Sequence, residues 1–304
     1  MLTVGALTRR ELAARLAGPG LFLRTGPFTN CIRSNISYLV DGVAQMYGQY
    51  AIDESGFADF HVQFRQPGGW RRWFRPQVRF DHDGLTPFEP LPVDQAFPML
   101  EWMLNYCVSS RAHGYLIIHA AVVEKNGHAV ILPAPPGSGK STLCAALVSR
   151  GWRLLSDELT LIGLDDQQLT PLPRPVSLKN ASIPIMQAYA PSASFTRSAT
   201  DTAKGTVAHM RAPDVSVERA AEPARAAWVV FPRYQADAPV TIDPITPARA
   251  FMRVAENAFN FSLTGERGFH ALGQVMDGCT SFDFTYSKLD EAIALFDNLR
   301  VAPR

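Results

Sequence analysis

The 304-residue sequence has almost no net charge, since 29 Lys and Arg stand against 28 Asp and Glu, for +1 at pH 7 with histidine neutral. Such a balance gives no electrostatic footprint for nucleic acid or for an anionic membrane. Cysteine is scarce: Cys31, Cys107, Cys144 and Cys279 are widely separated and form neither CxxC nor Cys/His metal spacing. Reduced thiols in a reducing compartment, and with them a cytoplasmic location, are the simplest expectation. No run approaches the roughly 18 apolar residues of a membrane span. The opening residues hold Thr8-x-x-Glu11, a capping box ahead of an amphipathic helix, so they read as structural and not as a signal peptide. Internal repeats are missing, and so is the Asn-Lys-x-Asp motif with which a GTPase reads its base.

What is present is a phosphate-binding loop. An apolar strand, Val130 to Leu132, runs into a Gly/Pro loop that opens onto a helix starting near Lys140, in the stretch PAPPGSGKST. This is the strand–loop–helix setting of a Walker A motif. Loop amides and the positive end of the helix dipole converge on a phosphate, a lysine reaches the β/γ oxygens, and a hydroxyl ligates Mg²⁺. Pro136, Gly137, Ser138, Gly139, Lys140, Ser141 and Thr142 are therefore the expected nucleotide-binding residues, with ATP and Mg²⁺ as ligands. The strict pattern has glycine where this chain has Ala134, which predicts a stiffer approach to the loop and not its loss. Leu143, Ala146 and Leu147 predict one buried helical stripe, and Gly151 a helix end.

A second apolar strand, Trp152 to Leu155, delivers Ser156-Asp157-Glu158. Acids at the carboxyl end of a strand adjoining such a loop can hold Mg²⁺ or accept a proton from an attacking hydroxyl. Alone, the pair reads as a solvated strand end or a helix cap. Beside the loop it reads as functional, with Ser141, Asp157 and Glu158 as metal ligands.

From Leu116 to Ile162 the chain resembles the HPr kinase/phosphorylase superfamily, and within it the HPr-kinase-related branch. LIIHAAVVEKNGHAVILPAPPGSGKSTLCAALVSRGWRLLSDELTLI is similar to that family's histidine-bearing strand, hairpin, phosphate loop, helix and acidic strand at equal spacing. The resemblance implies an α/β fold with a P-loop-containing HPr kinase/PEP carboxykinase-like core. It implies that Asp157, 17 residues after Lys140, is the base that activates a serine hydroxyl, with Glu158 as the second acid. It matches His119 to the family's strand histidine and, more loosely through DPITPARAFMRVAENAFN, Arg249 to an arginine near the phosphates. It also carries an expectation of homo-oligomerisation by analogy. The glutamate/glycine signature tied to phosphorolysis is missing between residues 165 and 215, which implies phosphorylation without the reverse reaction.

Length predicts two units: residues 1–111, a β-rich module with an opening helix, and 112–304, a P-loop kinase domain. Alternation through FLRTGPFTNCIRSNISYLV, with turn signals at Asp41-Gly42, Gly68-Gly69 and Asp83-Gly84, predicts hairpins. A proline-bearing connector leads to a helix near Asp94 to Ser109, and Asn126-Gly127 predicts a two-residue hairpin turn. Residues 159–172 read as a second hairpin, and strands at Trp228 to Phe231 and Phe282 to Tyr286 alternate with helices at Pro247 to Phe261 and Ser287 to Leu299. Residues 186–222, polar and weakly periodic, read as a long mobile loop that closes over the site.

Lys179, Lys204, His209 and Arg211 lie where the chain leaves the family pattern and invite a role in closing over phosphates, although solvated loop charges are the simpler reading of each. Trp70 to Arg75 interleaves aromatics with cations and reads as a hairpin with a basic face rather than a base-stacking surface. The function expected is an ATP-dependent serine kinase, a transferase acting on a protein or peptide hydroxyl. Two alternatives stay open, a kinase of a small hydroxylated metabolite or sugar, and a P-loop ATPase or switch that phosphorylates nothing.

Overall fold

The computed structural model describes residues 1–69, 73–135 and 137–300. The basic-aromatic stretch at 70–72 and Pro136 of the loop thus lie outside the described residues. The chain opens with α1 (Arg9–Ala17), whose Thr8 side chain accepts from the Glu11 N–H while Glu11 reaches back to the Thr8 N–H. A five-stranded sheet follows in the order β1 (Leu21–Thr25), β2 (Phe28–Ser34), β3 (Phe60–Arg65), β4 (Gln77–His82) and β5 (Leu91–Pro92). Its β2–β3 pair is parallel and the other pairs antiparallel. Two helices, α2 (Ser37–Met46) and α3 (Ala96–Arg111), pack on it around Leu12, Leu16, Phe64, Phe80 and Leu100.

One turn expectation fails here. Asp41-Gly42 lies inside α2, not in a hairpin. A Cβ at Gly42 would stand 2.3 Å from the Phe97 ring, so the glycine serves close packing of α2 on α3. Asp83-Gly84 is a tight turn, with both residues at positive φ (48° and 79°).

The second half begins with β6 (Tyr115–Lys125) and β7 (His128–Pro133), an antiparallel hairpin whose Asn126 and Gly127 both take positive φ. Then come α4 (Lys140–Ser149), β8 (Arg153–Ser156), β9 (Leu159–Gly163) and β10 (Leu169–Thr170). Gly151, at φ 93°, ends α4: its N–H donates to Val148 and that of Trp152 to Leu147, the paired bonds of a glycine-terminated helix. Next are β11 (Val176–Lys179), α5 (Ser182–Tyr189), β12 (Ala199–Thr202), β13 (Gly205–Met210) and α6 (Asp214–Glu218). The chain closes with β14 (Arg225–Tyr234), β15 (Thr241–Ile245), α7 (Pro247–Glu256), α8 (Phe261–Asp277), β16 (Thr280–Tyr286) and α9 (Leu289–Asp297).

The fold is mixed α/β with several sheets. An eight-stranded sheet runs β10-β9-β6-β7-β14-β16-β15, with β8 paired to β6 beside β9. Strands β7, β14 and β16 are parallel neighbours, so their carboxyl ends open on the same edge. Helix α4 is buried nearly all round, through Leu143, Cys144, Ala145, Ala146, Leu147 and Val148, rather than along one stripe. The sheet covers one side, and Met186 of α5 and Phe296 of α9 share the cluster on the other.

Residues 186–222 correct the expectation of a long loop. Strands β11, β13 and β12 form a three-stranded antiparallel sheet, and Met186, Ala208 and Met210 are buried in the core that surrounds α4. The strands are too short for a periodic signal, and their apolar residues are covered by α4, which lies far away in sequence. Among the described residues no helix is long and apolar enough to cross a membrane.

Candidate functional site

Two glycines shape the loop between β7 and α4. Gly137 and Gly139 take φ values of 85° and 88°, a region that disfavours side chains. At Gly139 there is no room either: a Cβ would lie 2.5 Å from Tyr286 Oη and 2.9 Å from Tyr234 Cβ. Neighbouring strand ends tie the loop down, because Tyr286 Oη donates to the Gly139 carbonyl (2.9 Å) and the Tyr234 N–H donates to the Ser138 carbonyl (2.8 Å). Ala134, where the strict motif has glycine, is buried and lies outside the positive-φ set, so alanine fits without strain.

Lys140 is the first residue of α4 and is only 7% exposed. Its Nζ has no hydrogen-bond partner, and neither has Ser138 Oγ. Burial lowers the lysine's pKa, although Asp157 and Glu158 pull the other way. A cavity of about 560 Å³ opens beside it, lined by Gly137 to Thr142 and by His119, Glu158, Lys179, Tyr234 and Tyr286 among others. That volume falls within the usual range for small-molecule sites, roughly 300–1,000 Å³.

The acid pair arrives by a route that the sequence did not predict. Its strand, β8, does not adjoin β7; β6 lies between them and pairs Val122 with Ser156 on one edge and Ala121 with Leu132 on the other. Because β7 and β8 both run antiparallel to β6, their carboxyl ends still emerge on the same side. Asp157 Oδ2 accepts from the Ser177 N–H (3.0 Å), whereas Oδ1 has no partner. Burial and then the Glu158 charge push the Asp157 carboxyl up to about 6 against the pull of Lys140. Glu158 goes the opposite way: burial raises it, but Lys204, Lys179, Lys140 and Arg174 together hold it below its ordinary value. Lys179 Nζ lies 3.8 Å from Glu158 Oε1. Two adjacent acids with separated affinities for a proton are suited to different roles.

His119 lies on β6, lines the cavity, and is fixed through its N–H to the Asn257 carbonyl (2.8 Å). Burial and Lys140 depress its pKa to about 4, so the imidazole is neutral at pH 7. Arg249 is not brought to the site. It is exposed on the first turn of α7, while Asn257, just past the other end of that helix, is the residue that meets His119. Eight residues of helix separate the two, about 12 Å.

The cations of residues 179–211 divide. Lys179 lines the cavity. Lys204 stands 5.1 Å from the Trp102 ring centroid and interacts with Glu158. His209 is fully buried, with both ring nitrogens unpartnered. Arg211 pairs with Asp214 at 2.6 Å and borders a separate cleft.

Residues of α3, and Arg174 just before β11, carry no local signal and complete the surroundings. Asn105 of α3 donates to Glu158 Oε2 and accepts from Arg174, and Arg174 also pairs with Glu101 at 3.5 Å. Their part could not be read from spacing, since it depends on α3 docking against the acid strand.

Among the described residues no group of three or more His, Cys, Asp and Glu forms a metal cage. Mg²⁺ at phosphate sites typically takes one or two carboxylates and fills its shell with phosphate oxygens and water. Ser141 and Glu158 on the cavity are a donor set of that kind, whereas Asp157 does not line it and its unpartnered Oδ1 is buried beside a separate, smaller cavity.

Compared with known proteins, residues 94–176 match a family model described as SynChlorMet cassette protein ScmC. The match runs from just before α3 through the loop and the acid pair to the start of β11. No curated protein matches the chain.

Proposed function

We propose that this protein is an ATP-dependent kinase that transfers the γ-phosphate to a hydroxyl acceptor, a serine of a protein or peptide. The reading takes the eight-stranded sheet and its loop as a P-loop core of the HPr kinase/PEP carboxykinase-like kind, with residues 1–111 as an accessory module. A cytoplasmic location accords with four free cysteines.

The observation that carries the proposal is the Lys140 ammonium, buried and without a partner at the amino end of α4, on a cavity ringed by loop amides. A buried cation normally has a counter-charge, and a buried polar group normally has a hydrogen bond. Asp157 and Glu158 supply counter-charge from nearby but no hydrogen bond, and that gap is filled if a triphosphate enters: its oxygens accept from Lys140, from Ser138 and from the amides at the start of the helix. Ser141 and Glu158 would hold Mg²⁺, which would offset phosphate charge.

Asp157 is the base. Its carboxyl, pushed up to about 6, is ionised at neutral pH yet retains more basicity than an ordinary aspartate. Ser177 fixes one oxygen, and the carboxylate keeps lone pairs to take the acceptor's proton. Neutral His119 lines the same cavity and can donate to a phosphate oxygen without adding charge. The chain is proposed to phosphorylate without phosphorolysis.

The test is the fate of labelled γ-phosphate. Label recovered on a protein or peptide serine supports the proposal. Label recovered only as free phosphate, in the presence of candidate peptide and sugar acceptors, points to an ATPase or switch and refutes it.

A further inference from the structure

A second, much smaller cavity of about 20 Å³ adjoins the acid pair and shares Glu158 and Ser177 with the first. Glu101, Trp102 and Asn105 of α3 line it with Asp157, Glu158, Arg174, Ser177 of β11 and His209 of β13. Four of these residues carry buried polar atoms without a hydrogen-bond partner: Asp157 Oδ1, Ser177 Oγ, Trp102 Nε1 and the ring nitrogens of His209. Native interiors seldom strand so many polar groups around one space.

We propose that this cavity is a binding site for a single ordered water that orients Asp157 and ties it to α3 of the amino-terminal module.

Size and donor chemistry both select the ligand. A water needs at least about 10–15 Å³ of such space and two to four polar partners, so the cavity takes one and not two. A cation cannot accept from the indole N–H of Trp102 and would face the Arg174 guanidinium. An anion would meet the carboxylates of Glu101, Asp157 and Glu158. Water both donates and accepts. It accepts from Trp102 Nε1 and donates to Asp157 Oδ1, and its remaining positions match Ser177 Oγ and neutral His209, which offers one donor and one acceptor whichever nitrogen holds the proton.

The consequence concerns the base. A carboxylate has about four acceptor positions. One oxygen of Asp157 is held by the Ser177 N–H and the other by the water, which sets the carboxylate's rotation and leaves lone pairs for an acceptor hydroxyl. Trp102 and His209 are thereby positioning residues. Their role rests on the proposed phosphoryl transfer, but the water site itself does not.

The test has two arms. A high-resolution crystal structure of the wild-type chain should show one density peak within hydrogen-bond distance of Asp157 Oδ1, Trp102 Nε1 and His209. A cavity without density overturns the proposal whether or not the chain transfers phosphate. In the kinetic arm, His209→Gln keeps a donor and an acceptor, His209→Leu keeps only apolar volume, and Trp102→Phe removes the indole N–H. The Leu and Phe variants should lose roughly tenfold or more in kcat at unchanged KM for ATP, and the Gln variant should lose little. Equal kcat for the Gln and Leu variants would mean that His209 only packs, and would overturn the positioning role. Should His209→Leu fail to fold, Trp102→Phe and the density decide. Density in a chain that transfers no phosphate would uphold the water and refute the kinase instead.

Discussion

Replacing Lys140 with methionine separates binding from stability, because the two should move in opposite directions. Lysine and methionine have similar stems, so the packing of α4 is retained while the unpartnered ammonium is removed from a site only 7% exposed. An unsatisfied buried polar group costs about 1–3 kcal/mol. Without nucleotide the variant should therefore gain up to about that amount, less the attraction that Asp157 and Glu158 lose with the charge, a rise in Tm of at most roughly 5 °C for a chain of this size. ATP affinity should fall. One charged hydrogen bond contributes about 1.5–3 kcal/mol, and a unit charge pair at 4 Å with an effective dielectric of 20 about 4 kcal/mol. Kd should then rise between roughly tenfold and a thousandfold. Calorimetric titration with Mg²⁺-ATP and a thermal melt of the ligand-free protein measure both. Unchanged affinity would refute the phosphate role of Lys140. A lower Tm would show that the ammonium has a structural partner and that the argument from its burial is wrong.

Asp157→Asn should retain ATP binding and lose on the order of 10²–10⁴ in transfer rate, the usual share of a positioned base, and Glu158→Gln should act mainly through Mg²⁺ affinity; near-normal transfer by the first variant and not the second would invert the two roles. Gly139→Ala should destabilise by about 1–3 kcal/mol in urea unfolding, since it meets both a positive φ and Tyr286 Oη 2.5 Å away, whereas Gly137→Ala, with open space around it, should cost about 1–2 kcal/mol from φ alone. Burial depresses His209 to about 3, so the unfolded chain binds a proton that the folded chain refuses once the pH falls below about 6.5. Stability present above that pH should be lost on acidification at up to about 1.4 kcal/mol per pH unit through this residue, and His209→Gln should flatten the acid limb of a Tm–pH curve. An unaltered limb would mean that the ring is not held neutral.

Legibility in the sequence followed the range of the forces involved. Thr8 with Glu11, the Asn126-Gly127 turn and the Gly151 helix end are closed within a few residues, so their bonds could be read directly. The loop from Pro133 into α4 belongs with them, because phosphate chemistry demands backbone amides and a lysine at fixed local spacing. Tertiary structure decided the rest. Asp41-Gly42 has the composition of a turn but became helix, since only glycine lets α2 approach Phe97. The weak pattern of residues 186–222 hid a sheet, because its apolar residues are covered by α4 and not by neighbours in sequence. Only the looser family resemblance matched Arg249 to an arginine near the phosphates, and the direction of α7 carries it to the end of the helix opposite Asn257. Trp102, Asn105 and Arg174 gave no local sign, for each meets the acid pair across more than 15 residues of chain, and His209, noticed as a loop cation, proved to be a buried ring beside the acids. The amino-acid sequence by itself determined the strand, the two-glycine turn and the helix that form the proposed phosphate loop, because these depend on backbone geometry over about ten residues. Which groups stand beside those acids, and how tightly they are held, depends on helices and strands brought together from distant parts of the chain, and only packing decides that.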